Sequence, residues 1–380
     1  MSQTTRVRHL HGGPDALGVP RWDFSTNANA CGPCPVALAA VQRADAAHYP
    51  DPGYTALRTA LAAFHGVAVE RIVLAGSASE FIARITAAVV RGGGRRVWLP
   101  PLAYGDYQMA AQAWGLSRVD EAGQADLLWL CEPSSPRGVA EPGVLAAAGS
   151  PAVVVLDRAY EPLRLSGRCS VSAQAMDRVW QLWSPNKALG LTGVRGAYAI
   201  APLHGVALAG RLAQLAPSWP LGAHAVAMLT AWVSPGVQGW LAQSREQLAR
   251  WKTTQLDMLQ GLGWRCLPSE ANYFCAQAPR PVDVDALRAH GIKLRDTTSL
   301  GLPGHWRLGV LPPEAQEALA DAWVAGRRSQ RVMAACKGLT SHTEAAHQDC
   351  SALAAGQAAG PGAVPLRSEE APQRREAFES

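Results

Sequence analysis

Apolar positions follow no period over residues 1–35, where Gly12-Gly-Pro14, Gly18, Pro20 and a further cluster of Asn, Gly and Pro interrupt them. This stretch reads as an irregular arm. Helical spacing follows at about 36–47 and 54–66. From Arg71, short apolar runs alternate with helical patterns. Ile72–Ala75, Val97–Leu99, Leu127–Cys131, Val153–Leu156 and Val179–Trp183 read as strands, with helices over Ser79–Val90 and Tyr107–Trp114. That alternation predicts a parallel α/β sheet. After Gly196 the pattern changes to long helices at about 204–215, 222–233 and 237–261. Short strands follow near 264–266, 273–276 and 292–295, then Trp306–Val310 and a closing helix at about 313–326. The predicted division is an arm (1–35), a large α/β domain (36–235), a small α+β domain (236–328) and a tail (329–380). The tail is rich in Ala, Gly, Gln and Glu with little aliphatic content, which predicts disorder.

At 380 residues the chain can bury a large core. Its 48% hydrophobic and 17% charged residues are ordinary for a soluble protein. The net charge of +5 is small and forms no basic stripe, which argues against nucleic acid as a partner. No apolar run is long enough to span a bilayer and no signal peptide precedes residue 13, so a cytoplasmic protein without a membrane partner is expected. The eight cysteines have no repeated spacing, and no metal site is expected. Cys31-Gly-Pro-Cys34 spells a thioredoxin-type redox pair. It follows the loop signal Asn27-Ala-Asn-Ala, however, and Pro35 then opens a short helix. It reads as a turn with two free thiols.

Chemistry concentrates in Ser184-Pro-Asn-Lys187-Ala-Leu-Gly-Leu-Thr-Gly-Val-Arg195-Gly196. A lysine amine becomes a nucleophile towards aldehydes when neighbouring groups depress its pKa. Hydroxyl, guanidinium and glycine amides are what a phosphate needs. Upstream, Val153-Val-Val-Leu-Asp157-Arg-Ala-Tyr160 ends a buried strand in a carboxylate and a phenol. The carboxylate can keep a pyridinium nitrogen protonated, although Asp157 also suits a strand-end cap. Together these residues suggest a lysine carrying pyridoxal phosphate as a Schiff base. Gly76-Ser77-Ala78-Ser79-Glu80 follows a strand and opens a helix, a place where free amides bind phosphate or hydroxyls merely cap. Tyr104-Gly-Asp-Tyr107 offers an aromatic ring for stacking or for the core. Arg295 and Arg307 form either a carboxylate clamp or two solvated edge charges.

Over roughly residues 9–326 these segments resemble the fold-type I, aspartate-aminotransferase-like pyridoxal-phosphate enzymes. The pattern S-x-x-K followed by G-L-x-G-x-R is met by Ser184, Lys187 and Gly190 to Arg195. The resemblance implies an α/β large domain with a mostly parallel sheet and a small C-terminal domain. It implies that Lys187 forms the Schiff base, that Ser184, Arg195, Ser77 and Ala78 hold the cofactor phosphate, and that Asp157 partners the pyridine nitrogen. Tyr160 would face the phenolic oxygen and Tyr107 would stack on the ring. His48-Tyr49-Pro50-Asp51 matches R/H-Y-P-D, whose tyrosine reaches the neighbouring subunit's phosphate, so a homodimer is implied.

Two departures stand out. The family's N-P-N-N-P-T-G is here Glu132-Pro-Ser-Ser135-Pro-Arg-Gly138, so Ser135 replaces an asparagine that donates to the phenolic oxygen. The phosphate loop around Gly76 to Ser79 is also shortened. His11-Gly-Gly13, Asp23 to Asn27 and the run from Gly291 to Arg307 resemble the threonine-phosphate decarboxylases of cobalamin biosynthesis. In that branch His11 and Asn27 would face the substrate phosphate, while Arg295 and Arg307 grip its carboxylate. The implied activity is a lyase converting L-threonine O-3-phosphate to (R)-1-amino-2-propanol O-2-phosphate. The alternative is a histidinol-phosphate-type aminotransferase using the same apparatus.

Overall fold

A computed structural model describes residues 12–140 and 152–326. His11 and the expected tail, 329–380, lie outside the described residues. Up to Val324 the described residues form one compact unit.

The arm holds a short strand, β1 (Trp22–Asp23). Pro35 supplies a fixed φ at the first position of α1 (Pro35–Gln42), and α2 (Thr55–His65) ends on Gly66 in the left-handed region. The expected alternation then appears as β2 (Ile72–Ala75), α3 (Ala78–Arg91), β3 (Arg96–Trp98) and α4 (Gly105–Ala113). It continues through β4 (Ser117–Arg118), β5 (Leu127–Cys131), β6 (Val153–Asp157), α5 (Ala173–Met176), β7 (Trp180–Trp183) and β8 (Ala197–Ile200). Strands β2 to β8 make a seven-stranded sheet in the order β2-β8-β7-β6-β5-β3-β4. The sheet is mostly parallel, with β8 antiparallel to both neighbours. β8 is absent from the sequence reading: its run Ala-Tyr-Ala-Ile is short and directly follows the glycine-rich lysine segment. Every residue of β5 and β7 is buried, as a sheet covered on both faces demands. Because β2, β5, β6 and β7 run parallel, their carboxyl ends open on one edge of the sheet, where such folds place ligands.

Three helices follow, α6 (Val206–Leu215), α7 (Ala223–Trp232) and α8 (Pro235–Gly261), the last capped by the Ser234 hydroxyl. Next come β9 (Arg265–Cys266), β10 (Tyr273–Gln277), α9 (Val284–Ala289), β11 (Ile292–Lys293), β12 (Arg295–Asp296), β13 (Trp306–Gly309) and helix α10 (313–326). An antiparallel sheet has the order β12-β13-β10-β9. The single strand expected at 292–295 is divided at Leu294. β11 pairs parallel with β1 of the arm, whereas β12 joins β13.

The arm is tied at both ends. Asp15 receives Lys293 at 2.8 Å and Arg288 at 3.0 Å, and these partners hold its carboxyl well below the usual range. Further on, the Asn29 amide donates to Lys187 O at 2.9 Å and the Cys34 amide to Leu189 O at 2.8 Å. Gly190, at φ +65°, lies where a Cβ would meet Pro33 Cα at 3.1 Å. The Cys31–Cys34 turn is therefore a seat for the lysine loop. Both thiols are free, and Cys34 is fully buried at the head of α1.

Candidate functional site

Lysine occurs only at positions 187, 252, 293 and 337. Lys252 donates to the Ala271 carbonyl at 2.8 Å and to that of Ser269, while Lys293 bonds Gly13 O and Asp15. Among the described residues, Lys187 is the lysine whose amine has no hydrogen bond. It sits in the loop after β7, 5.6 Å above the centre of the Tyr160 ring. Asn186 fixes that loop by donating to Val194 O at 3.4 Å and by accepting from the Ser184 hydroxyl at 2.9 Å.

One cavity brings Lys187 together with Asp157, Tyr160, Ser135, Ser184 and Arg195. Asp157 ends β6 and is buried. Burial raises its carboxyl above the ordinary value, opposed by hydrogen bonds from Tyr107 and the Ala159 amide and by the charge of Lys187. The Tyr107 phenol donates to one oxygen at 2.7 Å and the Ala159 amide to the other at 2.9 Å. Those donors favour an ionised carboxylate, and a cationic partner in the cavity would complete its environment.

Tyr107 corrects the sequence reading. It is fully buried and stacks on Trp129 at 4.4 Å, so its ring belongs to the core and its hydroxyl serves Asp157. The tyrosine that lines the cavity is Tyr104, at the N-cap of α4. Burial first, then the charge of Asp106, push its phenol above the usual value.

The phosphate loop also differs in detail. The Ser77 hydroxyl caps α3 by accepting from the Glu80 amide at 3.1 Å, and Glu80 accepts from the Gly76 amide at 3.1 Å. Ala78 and Ser79 line the cavity in the first turn of α3, where backbone amides point outward. Across the cavity, Arg195 has no ion-pair partner among the described residues. Helix start, hydroxyl and free guanidinium form a charge-complementary site for a phosphate.

Above this floor, Asn27 lies in the arm with its Nδ2 3.3 Å from the Tyr160 hydroxyl. It is buried, and its Oδ1 has no partner. Arg307 donates to Ser135 Oγ at 3.3 Å and to Ser25 O at 3.1 Å. Arg295 stands directly opposite Arg307 across β12 and β13, and both are buried. Two facing guanidiniums repel unless an anion lies between them. Burial and the neighbouring Arg307 charge both lower the Arg295 pKa. Tyr49 is apart from the cavity, 78% exposed and stacked on Trp219 at 4.3 Å. Sequence reasoning also missed Cys131 and Ala159, which line the cavity beside Asp157. Their signal was available, since both adjoin strand ends on the ligand-bearing edge.

A family model described as aminotransferase class I and II matches residues 21–122 and 115–322. Histidinol-phosphate aminotransferase 1 of Bradyrhizobium diazoefficiens is 28% identical over 296 residues, covering 72% of this chain and 83% of that protein. Among solved structures, histidinol-phosphate aminotransferase from Sinorhizobium meliloti in complex with pyridoxal-5'-phosphate aligns with a TM-score of 0.65 and 22% identity, over 80% of this chain and 90% of that one. L-threonine-O-3-phosphate decarboxylase from Porphyromonas gingivalis gives 0.62 and 18%, over 80% and 97%. A Thermus thermophilus aspartate aminotransferase mutant gives 0.62 and 18%, over 76% and 92%. At these identities the structures share the fold, which is aspartate-aminotransferase-like. No described helix is long and apolar enough to cross a membrane.

Proposed function

From the premise that the chain belongs to the class I and II aminotransferase family, whose members use pyridoxal 5'-phosphate, we propose that it is an aminotransferase of the histidinol-phosphate type. The observation that carries its cofactor chemistry is the unbonded amine of Lys187, held in one cavity with the buried Asp157 carboxylate, and the names of the similar relatives favour amino transfer. The donor set fits the cofactor. Ser184, Arg195 and the first amides of α3 would hold its phosphate, Asp157 its ring nitrogen, and Tyr160 with Ser135 its phenolic oxygen. Bound there, the cofactor supplies an electron sink for a bond breaking at the amine-bearing carbon. Lys187 carries the proton to and from that carbon. Arg295 and Arg307 hold a carboxylate or phosphate of the substrate and so orient it. Tyr104 lines the same cavity. Tyr49, exposed on the surface, is available to a second subunit in a homodimer.

The resemblance of the sequence placed decarboxylation first, and the names of the similar relatives favour amino transfer instead. Decarboxylation of L-threonine O-3-phosphate stays as the second reading on one observation. Asn27, which that resemblance assigns to the substrate phosphate, lies beside the cavity residue Tyr160 with an unpartnered oxygen. The test gives the holoenzyme histidinol phosphate with 2-oxoglutarate, and separately threonine phosphate. Glutamate formation in the first assay is expected. Carbon dioxide release from threonine phosphate without glutamate formation would replace this reading by the second.

A further inference from the structure

We propose that Lys252 is a positioning residue for the cavity, fixing the turn on which the loops of Ser135 and Tyr160 are both seated. This rests on reading those two side chains as contacts to the cofactor. Lys252 follows Val237, Leu241 and Leu248 in the buried stripe of α8, where a further apolar side chain would continue the pattern. Its ammonium instead donates to the Ser269 carbonyl at 2.5 Å and to the Ala271 carbonyl at 2.8 Å. Two carbonyls aimed at one buried spot need a donor with more than one hydrogen, and an ammonium has three. Burial pushes the Lys252 pKa down to about 8, opposed by the charge of Glu270, so the cation is held there at a cost.

The turn held in this way is the seat of two loops. The Glu270 amide donates to Gly138 O at 2.6 Å, and the Ser269 hydroxyl donates to the same oxygen at 3.4 Å. Gly138, at φ +72°, lies so close that a Cβ there would collide with Ser269 Oγ and meet Ala271 Cβ at 3.2 Å. Just beyond the turn, the Tyr273 hydroxyl donates to Ser134 O at 2.8 Å. Ser135, which lines the cavity and accepts from Arg307, is thereby held on both sides along the chain. The same turn receives the segment that follows Tyr160. The Leu165 amide donates to Glu270 O at 2.6 Å, Arg164 bridges to Ala271, and the Arg164 guanidinium binds the Glu270 carboxylate. Lys252 thus ties α8 to both loops without itself lining the cavity.

Lys252→Met keeps the bulk and removes the donors, and Lys252→Arg restores a cation with several. In the apoprotein, hydrogen exchange of the peptides spanning 132–140 and 158–166 should quicken about tenfold in Lys252→Met, the scale of a lost charge-assisted hydrogen bond, and slow again in Lys252→Arg. Affinity for pyridoxal phosphate, followed by fluorescence, should fall about tenfold in Lys252→Met. Ser135→Ala should then cost less affinity in the Lys252→Met background than in the wild type, because the hydroxyl is already displaced. Leu57→Ala, in the buried face of α2, controls for general destabilisation and should not single out these peptides. Lys252→Gln, shorter and neutral, gives the same reading should Lys252→Met fail to fold. Unchanged exchange, a loss spread evenly over the chain, an unchanged cofactor affinity or additive costs with Ser135→Ala overturns the proposal. A wild-type protein that does not bind pyridoxal phosphate would sink the cofactor reading, and exchange of the two loops would still decide the place of Lys252.

Discussion

Both oxygens of Asp157 are already engaged before any ligand is considered, one by Tyr107 at 2.7 Å and one by the Ala159 amide at 2.9 Å. Tyr107→Phe removes one donor from a buried carboxylate without opening a cavity. A hydrogen bond to a charged group contributes about 1.5–3 kcal/mol, so the affinity of the apoprotein for pyridoxal phosphate should fall roughly tenfold or more. Fluorescence titration checks this, and an unchanged affinity would show that Tyr107 is only a core aromatic. Lys187, Asp157, Ser184 and Arg195 were legible in the sequence because each flanks a strong apolar strand or a glycine-rich turn. The roles of Tyr104 and Tyr107 were not. They lie one helical turn apart, and the start of α4 at Gly105 decides which ring faces the cavity and which reaches Trp129.

Helix α2 ends on His65, whose Nε2 is 2.7 Å from the Tyr198 hydroxyl and whose ring lies 4.9 Å from Trp183. Burial, aided by the charge of Arg158, pushes its pKa down to about 4 from 6.5. The unfolded chain takes up this proton below about pH 6.5 and the folded chain only near 4, so acidification across that window favours unfolding. Stability should be flat with respect to this group above pH 6.5 and decline below it, by at most about 3 kcal/mol near pH 4. Urea midpoints for wild type and His65→Gln test this, the variant showing a shallower decline. Identical pH profiles would remove His65 from the account. Among the elements, the long apolar strands and helices lay close to their expected bounds. The misses were short pieces whose existence depends on partners distant in sequence. β8 needs β2 and β7 on either side, and β11 parts from β12 because the arm takes Ile292 and Lys293.

Across the whole molecule, the arm joins the C-terminal elements to the lysine loop. It is anchored through Asp15 and β1 to α9 and β11, then brings Asn27 to the Tyr160 hydroxyl and ends by seating the Lys187 loop. Arg164 makes a second junction, joining Glu161 at 2.9 Å and Glu132 at 3.9 Å to Glu270 near β10. Neither junction was legible, since each joins residues more than 100 positions apart and leaves no local pattern. The parallel α/β sheet was legible from alternation alone, and the aspartate-aminotransferase-like fold from the resemblance of the lysine segment. The central claim is that Lys187 is the amine that meets the cofactor, the other described lysines being held by carbonyls or Asp15. Its most direct test is borohydride reduction of the protein loaded with pyridoxal phosphate, followed by mass mapping of the peptides. The reduced cofactor should appear on the peptide containing Lys187 and be absent from Lys187→Ala. A label on Lys252, Lys293 or Lys337, or an unlabelled protein, would contradict the account.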